Sequence, residues 1–252
     1  MTRIILSGCN GHMGRVISSC AAARESCKIV AGLDLCTDQN FDYPVYANIF
    51  EYTGGADVII DFSHPSALEN LLKYAVTMNM PAVIATTGLT PEQVDSLKQA
   101  AERVPIFFSA NMSLGVNLMA ELCKKAAAVL GNDFDIEIIE KHHNQKIDAP
   151  SGTALMLADE IASVTPYQAY YEYDRHARRK KRDKNEIGIH AVRGGTIVGE
   201  HEVIFAGRDE IVTISHSARS KEIFAVGCLN AGIFLADCEP GLYNMGHLIQ
   251  KA

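Results

Sequence analysis

Ile4-Ile5-Leu6-Ser7-Gly8-Cys9-Asn10-Gly11-His12-Met13-Gly14 opens the chain with a short apolar run that breaks into glycines spaced G-x-x-G-x-x-G. The stretch from Arg15 to Ala23 is helix-compatible, so the glycines join a first strand to a first helix. Glycine at such a turn lets the chain bend tightly, lets a pyrophosphate approach the backbone and lets the helix pack on the strand, while the helix N-terminus offers N–H groups and a positive dipole end. Any strand–helix turn can use glycine for conformational reasons alone. Here Asp34 also stands at the end of the second strand, 20 residues past Gly14, and the combination spells a dinucleotide-binding fingerprint. A carboxylate there accepts hydrogen bonds from ribose hydroxyls and repels a 2′-phosphate. Leu35 follows it instead of a cation, so NADH is the expected cofactor in preference to NADPH.

Outward from this turn, apolar runs at Ile4–Leu6, Ile29–Leu33, Val58–Phe62, Ala82–Ala85 and Ile106–Phe108 alternate with amphipathic stretches. That alternation predicts a parallel sheet of the Rossmann type. Pro65 to Met78 and Pro91 to Arg103 read as helices opened by proline, and Leu114 to Leu130 as a longer helix stopped by Gly131. Beyond Gly131 the texture changes. Strands are predicted over Ile136–Ile139, Ile187–Val192, Thr196–Phe205 and Glu210–Ser217, several of them joined by glycine turns suited to hairpins, with a helix over Thr153–Ala162. The expected fold class is α/β: an N-terminal Rossmann-type parallel sheet and a second α+β domain on a mixed or antiparallel sheet. Residues 1–113 with 223–252 are assigned to dinucleotide binding, and 114–222 to substrate binding and oligomerisation. The segment Ala225 to Leu235 is apolar on most sides and must be buried, but periodicity does not place it.

The composition narrows the function further. At 252 residues the chain can bury a sizeable core, and 48% hydrophobic with 21% charged residues excludes a disordered or fibrous protein. No apolar run approaches the roughly 18 residues of a membrane span. A net charge of −7 argues against nucleic acid as a partner. The seven cysteines form no C-x-x-C pair and no zinc-finger spacing, so they read as free thiols in a reducing compartment, with no metal site. Gly8 interrupts the N-terminal apolar stretch too early for a signal peptide, which gives a cytoplasmic expectation. The basic run from Arg175 to Lys184 lacks interleaved aromatics and reads as a solvated surface loop, not a nucleic-acid or lipid patch.

The second half holds its chemistry in Glu140-Lys141-His142-His143-Asn144-Gln145-Lys146-Ile147-Asp148-Ala149-Pro150-Ser151-Gly152-Thr153-Ala154, between a strand end and a helix start. Two histidines, a lysine and a Ser-Gly-Thr helix N-terminus gather proton donors, a fixed cation and an anion-binding backbone in one loop, an inventory suited to a small substrate with several carboxylates. The bland alternative is a pair of surface or capping histidines. Metal binding fits worst, because adjacent strand residues point to opposite faces and no further ligand stands at a suitable spacing.

This string, with Gly8–Gly14, Ala85-Thr86-Thr87-Gly88, Asn111-Met112-Ser113 and Arg193-Gly194-Gly195 through Gly199-Glu200-His201, is similar to the 4-hydroxy-tetrahydrodipicolinate (dihydrodipicolinate) reductase family of the diaminopimelate route to lysine. The likeness is collinear over nearly the whole chain and weakest between Val164 and Glu186. It implies NAD(P)H-dependent reduction of a cyclic dicarboxylate with loss of water. It implies His142 and Lys146 as proton donors, and His143, Gly152 and Thr153 as the holders of the substrate. Gly8, Cys9, Asn10, Gly11, His12 and Met13 correspond to the pyrophosphate loop and Asp34 to the ribose acid. Ala85, Thr86 and Thr87, with Ser109, Ala110, Asn111 and Met112, correspond to the loops at the nicotinamide end. A homotetramer built through the second sheet is a further implication. Because cofactor and substrate are assigned to different domains, a hinge is expected near Ser113 and again near Ile223. The chain departs from the family pattern at Leu35 and His12, where many members carry cations, and at Ala85, where glycine is common. The first two departures favour NADH again. The rival readings are a related NAD(P)-dependent amino-acid dehydrogenase and a non-catalytic nucleotide sensor. The His142–Thr153 clamp distinguishes them, since a sensor has no need of paired proton donors beside a carboxylate-binding helix end.

Overall fold

The computed structural model describes residues 1–38, 41–109 and 111–251, which divide into two compact units, Met1–Leu114 with Lys221–Ala252, and Gly115–Ser220. In the first unit the strands are β1 (Thr2–Ser7), β2 (Cys27–Leu33), β3 (Val45–Tyr46), β4 (Val58–Asp61), β5 (Ala82–Ile84), β6 (Pro105–Phe108) and, from the C-terminal return, β12 (Gly241–Tyr243). They form one parallel sheet in the order β12-β6-β5-β4-β1-β2-β3. Strand order reverses direction at β1, where β2 lies to one side and β4 to the other, and in open α/β sheets ligands bind at the carboxyl ends of strands at such a switch point.

The helices of this unit are α1 (His12–Ala22), α2 (Leu68–Met78), α3 (Pro91–Ala101), α6 (Glu222–Leu235) and α7 (Met245–Lys251). The expected Pro65–Met78 helix begins as a single 3-10 turn over Pro65–Ala67, capped by the His64 ring, before α2 proper starts. Thr90 caps α3 through a capping box with Gln93, one residue ahead of the proline that marked the helix start. The unplaced apolar segment is α6, and it completes the core: Ala225, Cys228, Leu229, Ala231 and Leu235 pack with Ile4, Leu6, Val58, Ile60 and Phe107 on one face of the sheet. A helix buried nearly all round has no polar face, and that is why its periodicity was uninformative. Two glycines let it approach. A Cβ on Gly227 would lie 1.7 Å from the Met112 carbonyl oxygen, and one on Gly232 would lie 3.0 Å from Ile60.

The second unit contains α4 (Leu114–Leu130, all but its first residue), β7 (Asp135–His142), α5 (Gly152–Ala162), β8 (Tyr170–Glu172), β9 (Glu186–Arg193), β10 (Gly199–Ala206) and β11 (Ile211–Ala218). Its sheet has the order β11-β10-β7-β9-β8 and is mixed, as expected. β9 runs parallel to β7 and β8, while β10 is antiparallel to both β7 and β11. Met119, Cys123, Leu157 and Ile161 from the helices pack on Ile136, Ile138, Ile189, Val203 and Phe205.

The hairpin expectation needs correction at one turn. β10 and β11 form a hairpin, closed by Gly207 N–H to Glu210 O at 2.9 Å. β9 and β10 do not pair, because β7 lies between them. The Arg193-Gly194-Gly195 turn instead crosses the end of β7, with Gly194 N–H donating to His142 O at 2.9 Å and Asn144 N–H to Gly195 O at 3.2 Å. Gly195 adopts φ +47°, where glycine carries no steric cost.

The basic run is the exposed loop expected of it, but three of its arginines are paired with carboxylates, among them Arg178 with the buried Glu172 at 2.7 Å. Arg175 reaches Glu137 at 2.6 Å and Glu186 at 2.5 Å, and Arg182 reaches Asp135 at 2.9 Å, Glu137 at 3.0 Å and the Ile136 carbonyl at 3.0 Å. Glu137 and Glu186 are carboxylates on β7 and β9 that need cationic partners, and nothing in a charge count reveals that pairing. None of the seven cysteines forms a disulfide, and four of them are buried. Among the described residues no helix is long and apolar enough to cross a membrane, and no group of His, Cys, Asp and Glu is arranged to hold a metal.

Candidate active site

In the first unit the glycine turn lies where β1, β2 and β4 end. Gly8 has φ +77°, and a Cβ there would meet Phe62 O at 2.6 Å; one on Gly14 would meet Gly8 O at 2.2 Å, so both positions exclude any side chain. α1 starts at His12, three residues earlier than the sequence suggests, with Gly11 as an N-cap that has no side chain to satisfy the first turn. The N–H groups of His12, Met13 and Gly14 are thus first-turn donors without an intrahelical carbonyl, the arrangement that holds phosphate.

The preceding N–H groups are spent inside the loop. Gly8 and Cys9 donate to Leu33 O, Gly11 donates to Gly8 O, and Asn10 donates to Asp34 Oδ2 at 3.0 Å. The Cys9 side chain is fully buried against Gly32, and burial pushes its thiol up to about 11, so only its backbone faces the turn. Asp34 also accepts from Cys36 N–H at 3.2 Å. Each carboxylate oxygen keeps a second lone pair for a hydroxyl. Beside it lies a cavity of about 620 Å³ lined by Gly8, Gly11, Asp34, Leu35, Asn48 and His64 among others. A backbone cradle closed to any Cβ, an uncapped helix start and a carboxylate beside a cavity of ligand size fit a dinucleotide.

The expected nicotinamide-end residues lie on the loops after β5 and β6. Ala85 and Thr86 are buried and Thr87 is exposed. The Thr86 hydroxyl donates to Asp61 Oδ2 at 2.6 Å; Asp61, itself 1% exposed, also receives the Ser63 hydroxyl at 2.6 Å. Ser109 Oγ donates to Asn111 O, Asn111 Oδ1 accepts from Ser113 N–H, and Met112 is buried beneath Gly227. Ala110 lies outside the described residues. Asp61 has no conspicuous motif, and sequence reasoning missed it.

In the second unit His142 is the last residue of β7, the central strand, flanked by β9 and β10. Strand alternation turns Glu140 and His142 toward the helices, and both are buried. The His142 Nδ1 lies 2.7 Å from Glu140 Oε2, and its Nε2 faces Gly199, where an added Cβ would come within 3.1 Å. Glu140 is fully buried. Its oxygens also accept two hydrogen bonds from Arg193, each at 2.7 Å, and one from Ser151 N–H at 2.9 Å. Burial pushes the Glu140 carboxyl up, but the donors from Arg193, His142 and Ser151 outweigh it and hold the group below its ordinary value.

Ser151 caps α5 by accepting from Ala154 N–H at 3.2 Å, and its hydroxyl lies 3.1 Å from His201 Nε2. The His201 ring packs edge-on against His142 at 5.2 Å, and burial, reinforced by the neighbouring His142, lowers its pKa to about 4. Lys146 pairs with Asp148 at 2.9 Å; that hydrogen bond, joined by one from Gly152 N–H, holds the Asp148 carboxyl low. Gly152 opens α5 with nothing within 4 Å of a would-be Cβ, and Thr153 is half-buried beside it. His143 follows β7, half-buried, and its carbonyl accepts from Lys146 N–H. The structure thus gathers His142, Lys146 and the start of α5 around one strand end. It adds Glu140, Arg193 and His201, which lay inside quoted motifs without a role: their signal was present, but only strand pairing shows that they meet.

A dinucleotide cradle on a doubly wound sheet, in a chain that also carries an oriented imidazole and amine beside an anion-binding helix start, defines a nicotinamide-nucleotide-dependent oxidoreductase. Family models for the N-terminus and C-terminus of dihydrodipicolinate reductase match residues 2–112 and 115–249, and the chain belongs to that family. It is 53% identical over 251 residues to the 4-hydroxy-tetrahydrodipicolinate reductase of Caldanaerobacter subterraneus subsp. tengcongensis and 50% identical to that of Clostridium novyi, in each case covering 100% of this chain and 99% of the relative. Among solved structures it resembles a dipicolinate-bound dihydrodipicolinate reductase from Paenisporosarcina sp. TG-14, with TM-score 0.82, 27% identity and 97% of both chains covered. A C. glutamicum DAP dehydrogenase shares the fold at TM-score 0.59 and 14% identity, covering 98% of this chain and 95% of that one. The recognition made from the motifs and the expected fold class are both borne out.

Proposed function

We propose that the protein reduces 4-hydroxy-tetrahydrodipicolinate to tetrahydrodipicolinate with loss of water, as the diaminopimelate route to lysine requires. The observation that carries this reading is the cluster at the end of β7, where His142, Lys146 and the N-terminus of α5 converge within one unit. When bound, the nicotinamide supplies the hydride. The chain's own residues bind, orient and move protons. Lys146 and the N–H groups at Gly152 and Thr153 clamp a substrate carboxylate, with His143 beside them. In this structure Asp148 sits on Lys146 and Gly152, so the entering carboxylate takes over contacts that a carboxylate already makes. His142 and Lys146 are the proton donors. Replacing His142 lowers kcat more than it raises KM, whereas replacing Lys146 damages both.

The nucleotide contacts run from Gly8 to Met13, through Asp34, to Ala85–Thr87 and the Ser109–Met112 loop. Asp34, with Leu35 94% exposed next to it, supports NADH over NADPH. Exposed Val192 and Ile211, on the sheet face turned away from α4 and α5, support assembly as a homotetramer through that sheet. Its place is the cytoplasm, in keeping with seven cysteines and no disulfide among them. The test is loss of reduced-nicotinamide absorbance with freshly generated substrate, run with both coenzymes. Turnover absent in the wild type, or retained by both His142→Gln and Lys146→Ala, refutes the assignment; a higher kcat/KM with NADPH refutes the coenzyme preference.

A further inference from the structure

We propose that Glu140 is the positioning residue of this site, a buried carboxylate that sets the tautomer of His142 and fixes the same imidazole to the start of α5. The proposal rests on the reading of His142 as a proton donor and goes beyond it. Glu140 is 0% exposed, so it cannot touch a ligand and must act through its neighbours. Three groups converge on it: His142 Nδ1 at 2.7 Å, the Arg193 guanidinium through two 2.7 Å contacts, and Ser151 N–H at 2.9 Å.

Arg193 and a backbone amide can only donate, and an ionised carboxylate can only accept. Arg193 keeps Glu140 ionised against its burial. His142 is therefore required to present Nδ1–H to Glu140. In the neutral ring the lone pair then falls on Nε2, the nitrogen that faces the space left by Gly199. Nε2 becomes the single ring position for proton exchange, as a carboxylate oriented on the far nitrogen of a catalytic histidine ensures. The remaining bonds spread that anchor. Ser151 is the N-cap of α5, so the carboxylate that orients the imidazole also holds the helix end assigned to the substrate. Arg193, opposite His142 in the β7–β9 register, closes the assembly by donating to Asp148 O at 2.7 Å, in the loop that carries Lys146.

Glu140→Gln is the informative change, since glutamine offers one acceptor and one donor to three groups that all donate. The expected result is that the neutral His142 ring shifts from the Nδ1–H to the Nε2–H form in ¹⁵N-histidine NMR, with the signal assigned by its loss in His142→Gln. In parallel, kcat falls by at least about tenfold and by no more than the ~10²–10⁴ that loss of the acid itself can bring, while KM for NADH stays within about twofold. In the double variant Glu140→Gln/His142→Gln, kcat is no lower than in His142→Gln alone. An unchanged tautomer with unchanged kcat, or an additive loss in the double variant, overturns the proposal. Removing one partner of a buried charge cluster can unfold a chain, so the wild-type spectrum is itself decisive: a neutral His142 in the Nε2–H form refutes the role without any variant. Absence of turnover in the wild type would remove the functional reading and leave the tautomer result standing on its own.

Discussion

His201 makes the second unit acid-labile, and the size of the effect follows from its surroundings. The residue is 5% exposed, burial and the neighbouring His142 bring its pKa from 6.5 to about 4, and among the described residues its Nδ1 has no hydrogen-bond partner. Because the folded value lies below the unfolded one, the unfolded chain takes up the proton first. Stability is full above the unfolded pKa of 6.5 and is lost as pH falls toward the folded pKa of about 4. At pH 5 the protonation factors of the two states differ by about 30-fold, or about 2 kcal/mol, and below pH 4 the loss approaches about 3 kcal/mol. Urea unfolding of the wild type and His201→Gln at pH 7 and pH 5 isolates this contribution, because other titrating groups are shared. Glutamine keeps a polar atom for the Ser151 hydroxyl but does not titrate. The wild type should lose about 2 kcal/mol more than the variant between the two pH values. Equal losses would refute the claim that His201 is held neutral by burial.

Gly199→Ala places a methyl 3.1 Å from His142 Nε2; kcat should fall about tenfold or more with NADH affinity unchanged by fluorescence titration, and an unaltered kcat would show that the ring has room to move. In Gly227→Ala the new carbon lands 1.7 Å from a main-chain oxygen, so the thermal midpoint should drop by the equivalent of about 3 kcal/mol; a midpoint within a degree or so of wild type would mean that α6 can shift without cost. Arg182→Ala leaves the largely buried Glu137 and Glu186 with Arg175 as their remaining arginine partner, and should cost about 1–3 kcal/mol together with faster proteolysis between residues 173 and 185. Proteolysis at the wild-type rate would return that segment to the status of a solvated loop.

The legibility of each part depended on whether its signal was local. Gly8, Gly11 and Gly14 could be read because a tight strand–helix turn constrains residue type within a few positions, and the Pro91 helix start because proline is favoured in the first helical turn. The Glu140–Ala154 string was legible through its family resemblance and through the density of donors in one loop. Less local features were not. α6 lacks a polar face, β3, β8 and β12 are two or three residues long, and the parallel pairing of β7 with β9 joins residues about fifty positions apart. The glycine turn at 194–195 looked like a hairpin because a turn residue specifies a bend and not which strands the bend connects.

The sequence by itself determined the class of each unit, the glycine turn between β1 and α1 and the cluster of titratable residues from Glu140 to Asp148, since all of these are written in short-range patterns of residue type. Only the tertiary structure decided that Glu140, Arg193, Ser151 and His201 surround His142, that Arg175 and Arg182 dock on the sheet, and that α6 closes the first core. Those contacts are set by strand register and burial, which depend on the summed packing of distant segments and leave no mark at any one position in the chain.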